Sequence, residues 1–123
     1  IDVTITFIKR LKEMGCRFAL DDFGAGFSSF YYLKRFDVDY LKIDGSFIRD
    51  LATDEGSRIF VRALNDVARG LDKQVIAEWV ETPEALNLLL GMGTQFGQGH
   101  LFQRPVPLEH PAATLPARNA NAA

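Results

Sequence analysis

Cysteine is almost absent from this 123-residue chain. The single Cys16 rules out an intramolecular disulfide and any all-thiolate metal site. Histidine is nearly as scarce, and neither His100 nor His110 stands at metal-ligand spacing from the cysteine, so both are read as non-ligands. An excess of positive charge is missing too. Fourteen Lys and Arg against sixteen Asp and Glu give a formal charge of −2, which argues against a nucleic-acid polymer as partner, since such binders carry a basic stripe or patch. No apolar run approaches the ~20 residues of a membrane span, and no signal-peptide pattern opens the chain, so no membrane contact is expected of this segment. With one cysteine, the plain expectation is a reducing, cytoplasmic setting. What remains, at 47% hydrophobic and 24% charged, is the profile of one globular domain. The chain opens on Ile1 rather than Met and is expected to be a piece of something longer.

Two kinds of segment alternate. Residues 3–14 carry Val3, Ile5, Phe7, Ile8 and Leu11 against Lys9, Arg10, Lys12 and Glu13, the pattern of an amphipathic helix stopped by Gly15. Residues 17–22 form an apolar run that turns acidic, a buried strand whose end emerges from its sheet. After a loop through Gly24 and Gly26, Ser28 or Ser29 is placed to cap a short helix through Tyr32, Leu33 and Phe36. The unit repeats: a strand over 40–44, a loop through Gly45, a helix over 55–71, a strand over 74–78. Thr82 and Pro83 then open a helix running to about Gly91, and a last strand is expected near 95–102. Residues 109–123, rich in Ala, Pro and Asn, read as a disordered tail behind a domain spanning 1–108. The class is therefore α/β, with about four parallel strands alternating with helices. That is the C-terminal half of a TIM-like (β/α)₈ barrel by length, with an open four-stranded sandwich as the competing arrangement.

Polar residues recur at every strand end: Asp21 and Asp22, then Lys42 and Asp44, then Glu78 and Glu81, then Gln98. In barrels and open parallel sheets that edge holds the ligand. Acids gathered there repel one another unless a cation or substrate neutralises them, and Asp and Glu oxygens suit Mg²⁺ or Mn²⁺. Adjacent Asp21 and Asp22 cannot both face inward on a regular strand, but a kinked strand end brings them together. Each feature alone has a bland reading. An Asp-Asp pair met singly is more often a solvated turn and cap, Lys42 and Asp44 fall on one face as a surface ion pair, and serines after a glycine loop mostly cap helices. Glu78 follows the apolar Val75-Ile76-Ala77, where burial would raise its pKa toward that of a general base, and a paired structural Glu fits equally well.

Four blocks taken together are more specific. Asp21-Asp22-Phe23-Gly24-Ala25-Gly26-Phe27-Ser28-Ser29, Tyr40-Leu41-Lys42-Ile43-Asp44, Val75-Ile76-Ala77-Glu78-Trp79-Val80-Glu81-Thr82 and Gly97-Gln98-Gly99-His100-Leu101-Phe102 resemble the EAL-type cyclic di-GMP phosphodiesterase domain in order and spacing. The resemblance implies two-metal hydrolysis of cyclic di-GMP to the linear dinucleotide with Mg²⁺ or Mn²⁺. On its terms Asp21 bridges both metals and Asp22 is a neighbouring ligand. Lys42 holds the hydrolytic water, and Glu78 is metal ligand or general base. Glu81 is a supporting acid, Gln98 lies in the substrate pocket, and the loop from Phe23 to Ser29 links the metal site to dimer contacts.

The resemblance also marks departures. Trp79 stands where the family usually has glycine, placed to strain the loop, narrow the pocket or offer a stacking face to guanine; His100 replaces an aromatic residue. The family's name-giving motif, with its Glu ligand, and the Asn and Glu that complete the first metal's shell fall before Ile1. The isolated segment is thus expected to be inactive or nearly so, within a parent carrying an upstream sensor or GGDEF-type domain. A homo-oligomer is expected as well, because a half-barrel leaves an inner face uncovered, with Ala19, Ile43 and Ile76 as its candidates. The alternative is a degenerate module that binds cyclic di-GMP or a protein partner without catalysis.

Overall fold

The computed structural model describes residues 2–107, with the backbone alone described at 27–29; the expected tail and His110 lie outside the described residues. In chain order the elements are α1 (Asp2–Glu13), β1 (Ala19–Phe23), α2 (Phe27–Arg35), β2 (Tyr40–Ile43), α3 (Gly45–Arg49), α4 (Glu55–Gly70), β3 (Gln74–Ala77), α5 (Pro83–Gly91) and β4 (Phe96–Gly97).

Local chemistry accounts for most boundaries. The Asp54 side chain caps α4, accepting from the Gly56 N–H and, at 2.9 Å, from the Ser57 hydroxyl. Thr82 caps α5 by accepting from the Ala85 N–H at 3.1 Å, with Pro83 in the first turn, where its missing N–H costs nothing. Three expectations need correction. Residues 45–49, read as loop, form α3, because the Asp44 carboxylate accepts from both the backbone N–H and the hydroxyl of Ser46 and so turns the chain into a helix. The N-cap of α2 is Gly26 in extended backbone, so Ser28 and Ser29 stand inside the first turn rather than before it. The last strand has two residues instead of eight. Past Gly97 the chain bends back, with the Leu101 N–H donating to the Val80 carbonyl and the Phe102 N–H to that of Gly99.

All four strands are parallel and lie in the order β1-β2-β3-β4. Sequential order without a reversal is that of a barrel wall; a doubly wound sheet would switch direction part-way. The chain therefore has the strand arrangement of half of a (β/α)₈ barrel. Alternation along the strands then divides the side chains. Leu41 and Ile43, in register with Val75 and Ala77, join Val61, Leu64 and Ala68 of α4 in one buried core. The opposite face carries Ala19, Tyr40, Lys42, Ile76 and Phe96, with the Tyr40 and Phe96 rings edge-on at 5.7 Å. Ile43, expected on that inner face, is fully buried on the helix side, because Lys42 next to it takes the inward position. Among the described residues no helix is long and apolar enough to cross a membrane.

The two faces should respond differently to mutation. Leu41→Ala removes a fully buried side chain and should cost about 2–5 kcal/mol in urea unfolding, whereas Ala19→Ser on the exposed face should stay within about 0.5 kcal/mol. Equal effects would show that the assignment of faces is wrong.

Candidate metal and substrate cleft

The site begins with a fault in β1. Leu20 pairs with Leu41 and Phe23 with Ile43, so Asp21 and Asp22 together oppose the single residue Lys42. One extra residue in one strand is a β-bulge, a device that re-aims side chains at sheet edges. Asp22 takes the left-handed conformation at φ 53°, which a short polar side chain tolerates better than most, and its N–H donates to Asp21 Oδ1 at 2.9 Å. Phe23, fully buried, anchors the strand beyond the bulge. The kink expected from the adjacent acids is thus present. Carboxylate oxygens of Asp21, Asp22 and Glu78 all lie within 4.8 Å of one another.

Glu78 follows β3 directly, held by its N–H to the Ile43 carbonyl. Burial pushes its carboxyl up to about 7, helped by the Asp21 carboxylate beside it and opposed by Lys42. Asp21 moves the other way, held below the usual carboxylate range by the hydrogen bond from Glu78, then by the Asp22 N–H and the charge of Lys42. One proton shared between two acids satisfies both shifts. Lys42 Nζ stands 3.5 Å from Glu78 Oε1, with both side chains about four-fifths buried. Its expected partner Asp44 is engaged elsewhere: β2 ends at Ile43, alternation stops there, and Asp44 caps α3 instead. The donor set, all carboxylate oxygen, fits a hard divalent cation such as Mg²⁺ or Mn²⁺.

Around this cluster opens a cleft of about 580 Å³ lined by Asp21, Lys42, Glu78, Glu81 and Gln98 together with Arg49, Trp79, His100 and Gln103. Gln98 is positioned by its backbone, its N–H donating to the Ala77 carbonyl at 2.9 Å and its carbonyl accepting from Val80 at 2.8 Å. The next residue, Gly99, has φ 157° and sits where a Cβ would collide with the Val80 backbone. Glu81 faces the cleft but pairs with His100 Nδ1 at 3.6 Å, apart from the three clustered acids. Arg49 and Gln103 were not anticipated. Arg49 was hidden because α3 read as loop; the Asp44-Gly45-Ser46 run, an acidic cap before a serine, was the signal for a helix that places residue 49 one turn beyond Gly45.

A model of the EAL domain matches residues 2–105. The chain belongs to the EAL domain family. Among its relatives, the cyclic di-GMP phosphodiesterase NbdA of Pseudomonas aeruginosa is 43% identical over 108 residues, covering 88% of this chain and 14% of that protein. The EAL domain of Mycobacterium smegmatis DcpA superposes with a TM-score of 0.81 at 39% identity, over 85% of this chain and 47% of that one. BlrP1 of Klebsiella pneumoniae, in a manganese and cyclic di-GMP complex, does so with 0.74 at 36% identity, over 81% and 26%. This EAL chain spans between 12 and 16% of the length of the first curated relatives it matches.

The raised Glu78 carboxyl has a thermodynamic signature. Between pH about 4.5 and about 7 the folded chain holds a proton that the unfolded chain releases. The stability this proton contributes is fully present below the lower value and is lost as pH rises through the upper one. With chelator present, urea unfolding should show stability declining across that window, and Glu78→Gln should flatten the decline. Identical slopes in both proteins would contradict the shared proton.

Proposed function

We propose that this EAL chain is part of a divalent-metal-dependent phosphodiesterase domain that hydrolyses cyclic di-GMP to the linear dinucleotide. The observation that carries the reading is the bulge that gathers Asp21, Asp22 and Glu78 within 4.8 Å, with Lys42 3.5 Å from Glu78. The names of the relatives support the substrate, and the manganese complex of a structural neighbour supports the metal class.

In this reading Asp21, Asp22 and Glu78 would hold Mg²⁺ or Mn²⁺. Bound there, the cations supply Lewis-acid polarisation of the phosphodiester and neutralise charge developing in in-line attack. Lys42 donates a hydrogen bond that orients the attacking water, and its charge restrains the Glu78 carboxyl from moving still higher. Glu78 is metal ligand or general base; its raised carboxyl belongs to the metal-free chain, and a bound cation would draw it back toward the ionised form. Glu81 supports the site through its charge, held by His100. The Gln98 amide offers both donor and acceptor to substrate. The first metal's other ligands belong to residues upstream in a longer cytoplasmic parent, with a sensor or GGDEF-type domain ahead of it, and the segment alone is inactive or nearly so. A second reading, binding without turnover, draws on one observation, the indole of Trp79 at the cleft.

In the full-length parent, Asp21→Asn should lower turnover of cyclic di-GMP by orders of magnitude in a hydrolysis assay; near-normal activity would sink the assignment. The segment alone should self-associate through its inner face, where Ala19 is exposed and Tyr40 and Phe96 are half-buried. Sedimentation across a dilution series checks this, and a well-folded monomer at high concentration would refute it.

A further inference from the structure

Trp79, the chain's only tryptophan, sits beside Glu78 in a conformation that glycine adopts freely and an indole does not. Its φ is 61°, in the left-handed region that costs an L-residue about 1–2 kcal/mol. The residue is 48% exposed, against the burial usual for tryptophan. An aromatic left half exposed in a strained backbone next to clustered acids is the kind of outlier that gathers at ligand sites.

The surroundings hold the indole in one place. It lies across Gly45, where any Cβ would run into the ring. The guanidinium of Arg49 stands over it, 5.5 Å from the ring centroid. Gly45 and Arg49 are one turn apart on α3 and so share a side of that helix, against which the ring is laid. On the far side in sequence, buried Val80 is pinned to Gln98 and Leu101 by backbone hydrogen bonds, which fixes the main chain carrying Trp79. Laid back in this way, the ring borders the cleft of about 580 Å³ without filling it. That distinguishes a wall from a plug.

We propose that Trp79, backed by Arg49, is a stacking platform that receives one purine of a phosphate-bearing ligand at the rim of the cleft, an inference that rests on the cyclic di-GMP reading above. The indole supplies a flat apolar face already held in position, so little rotamer entropy is lost on binding. Arg49 adds cation–π support to the ring and a positive charge near the ligand's phosphates, in a cleft otherwise dominated by carboxylates.

A lone tryptophan makes the test direct, because with excitation to the red of tyrosine absorption every change in emission comes from Trp79. The 123-residue chain is titrated with cyclic di-GMP in the presence of Mn²⁺, following tryptophan fluorescence and, in parallel, equilibrium dialysis. Saturable quenching that tracks the dialysis isotherm is expected. Trp79→Gly suits the local backbone and keeps the fold, and should weaken binding roughly tenfold, while Trp79→Phe should keep most of the affinity. Arg49→Met should cause a smaller loss. Binding by dialysis without any fluorescence change, and with Trp79→Gly within twofold of the unmodified chain, overturns the platform and leaves the proposed substrate standing. Absence of binding by dialysis in the unmodified chain overturns the platform, while the substrate reading stands or falls separately on hydrolysis of cyclic di-GMP by the full-length parent.

Discussion

Three carboxylates held within 4.8 Å of one another set the terms for the rest of the molecule. At that separation two unit charges repel by about 3.5 kcal/mol at an effective dielectric constant of ~20, so the cluster cannot stay fully ionised without help. The help is local and graded. A proton shared between Glu78 and Asp21 removes one negative charge, Lys42 sets a positive one beside Glu78, and the Asp22 N–H donates into Asp21. A divalent cation does the same work more completely, which is why an arrangement unfavourable for bare carboxylates is suited to a metal.

Holding that cluster together requires a scaffold whose stability comes from elsewhere. It comes from the other face of the sheet, where Leu41, Ile43, Val75 and Ala77 pack with α4 and α5 in a continuous apolar core. Because the strands are parallel and sequential, their C-terminal ends share one edge, and the loops leaving that edge bring residues 21, 42, 78 and 98 into a single cleft. The bulge in β1 is the point of exchange: it breaks the ladder between Leu20 and Phe23, and the buried Phe23 ring ties the strand end back into the core.

The rim is built by mutual accommodation of small and large residues. Gly45 leaves room for the indole of Trp79, and Gly99 leaves room for the backbone of Val80. A side chain at either glycine would move the segment that carries Glu78, Trp79 and Glu81, so the shape of the cleft depends on two positions that carry no chemistry of their own.

How much of this was written in the chain can be judged residue by residue. The strand–helix alternation, the caps at Thr82 and Pro83 and the acids at successive strand ends are local patterns of period and composition, and they alone determined the fold class and drew attention to Asp21, Asp22, Lys42, Glu78 and Gln98. Local patterns do not specify which strand end a side chain meets. That Lys42 turns to Glu78 while Asp44 caps a helix, that Ile43 belongs to the helix-side core, and that the last strand stops after two residues were decided by register, bulge and the return of the chain over Val80. Arg49 reached the cleft for the same reason: a five-residue helix is too short to show a period in sequence, yet its one turn carries a guanidinium over the Trp79 ring. Pairings between residues dozens of positions apart exist only once the sheet has formed, because the distances that define them are set by strand spacing and not by sequence separation.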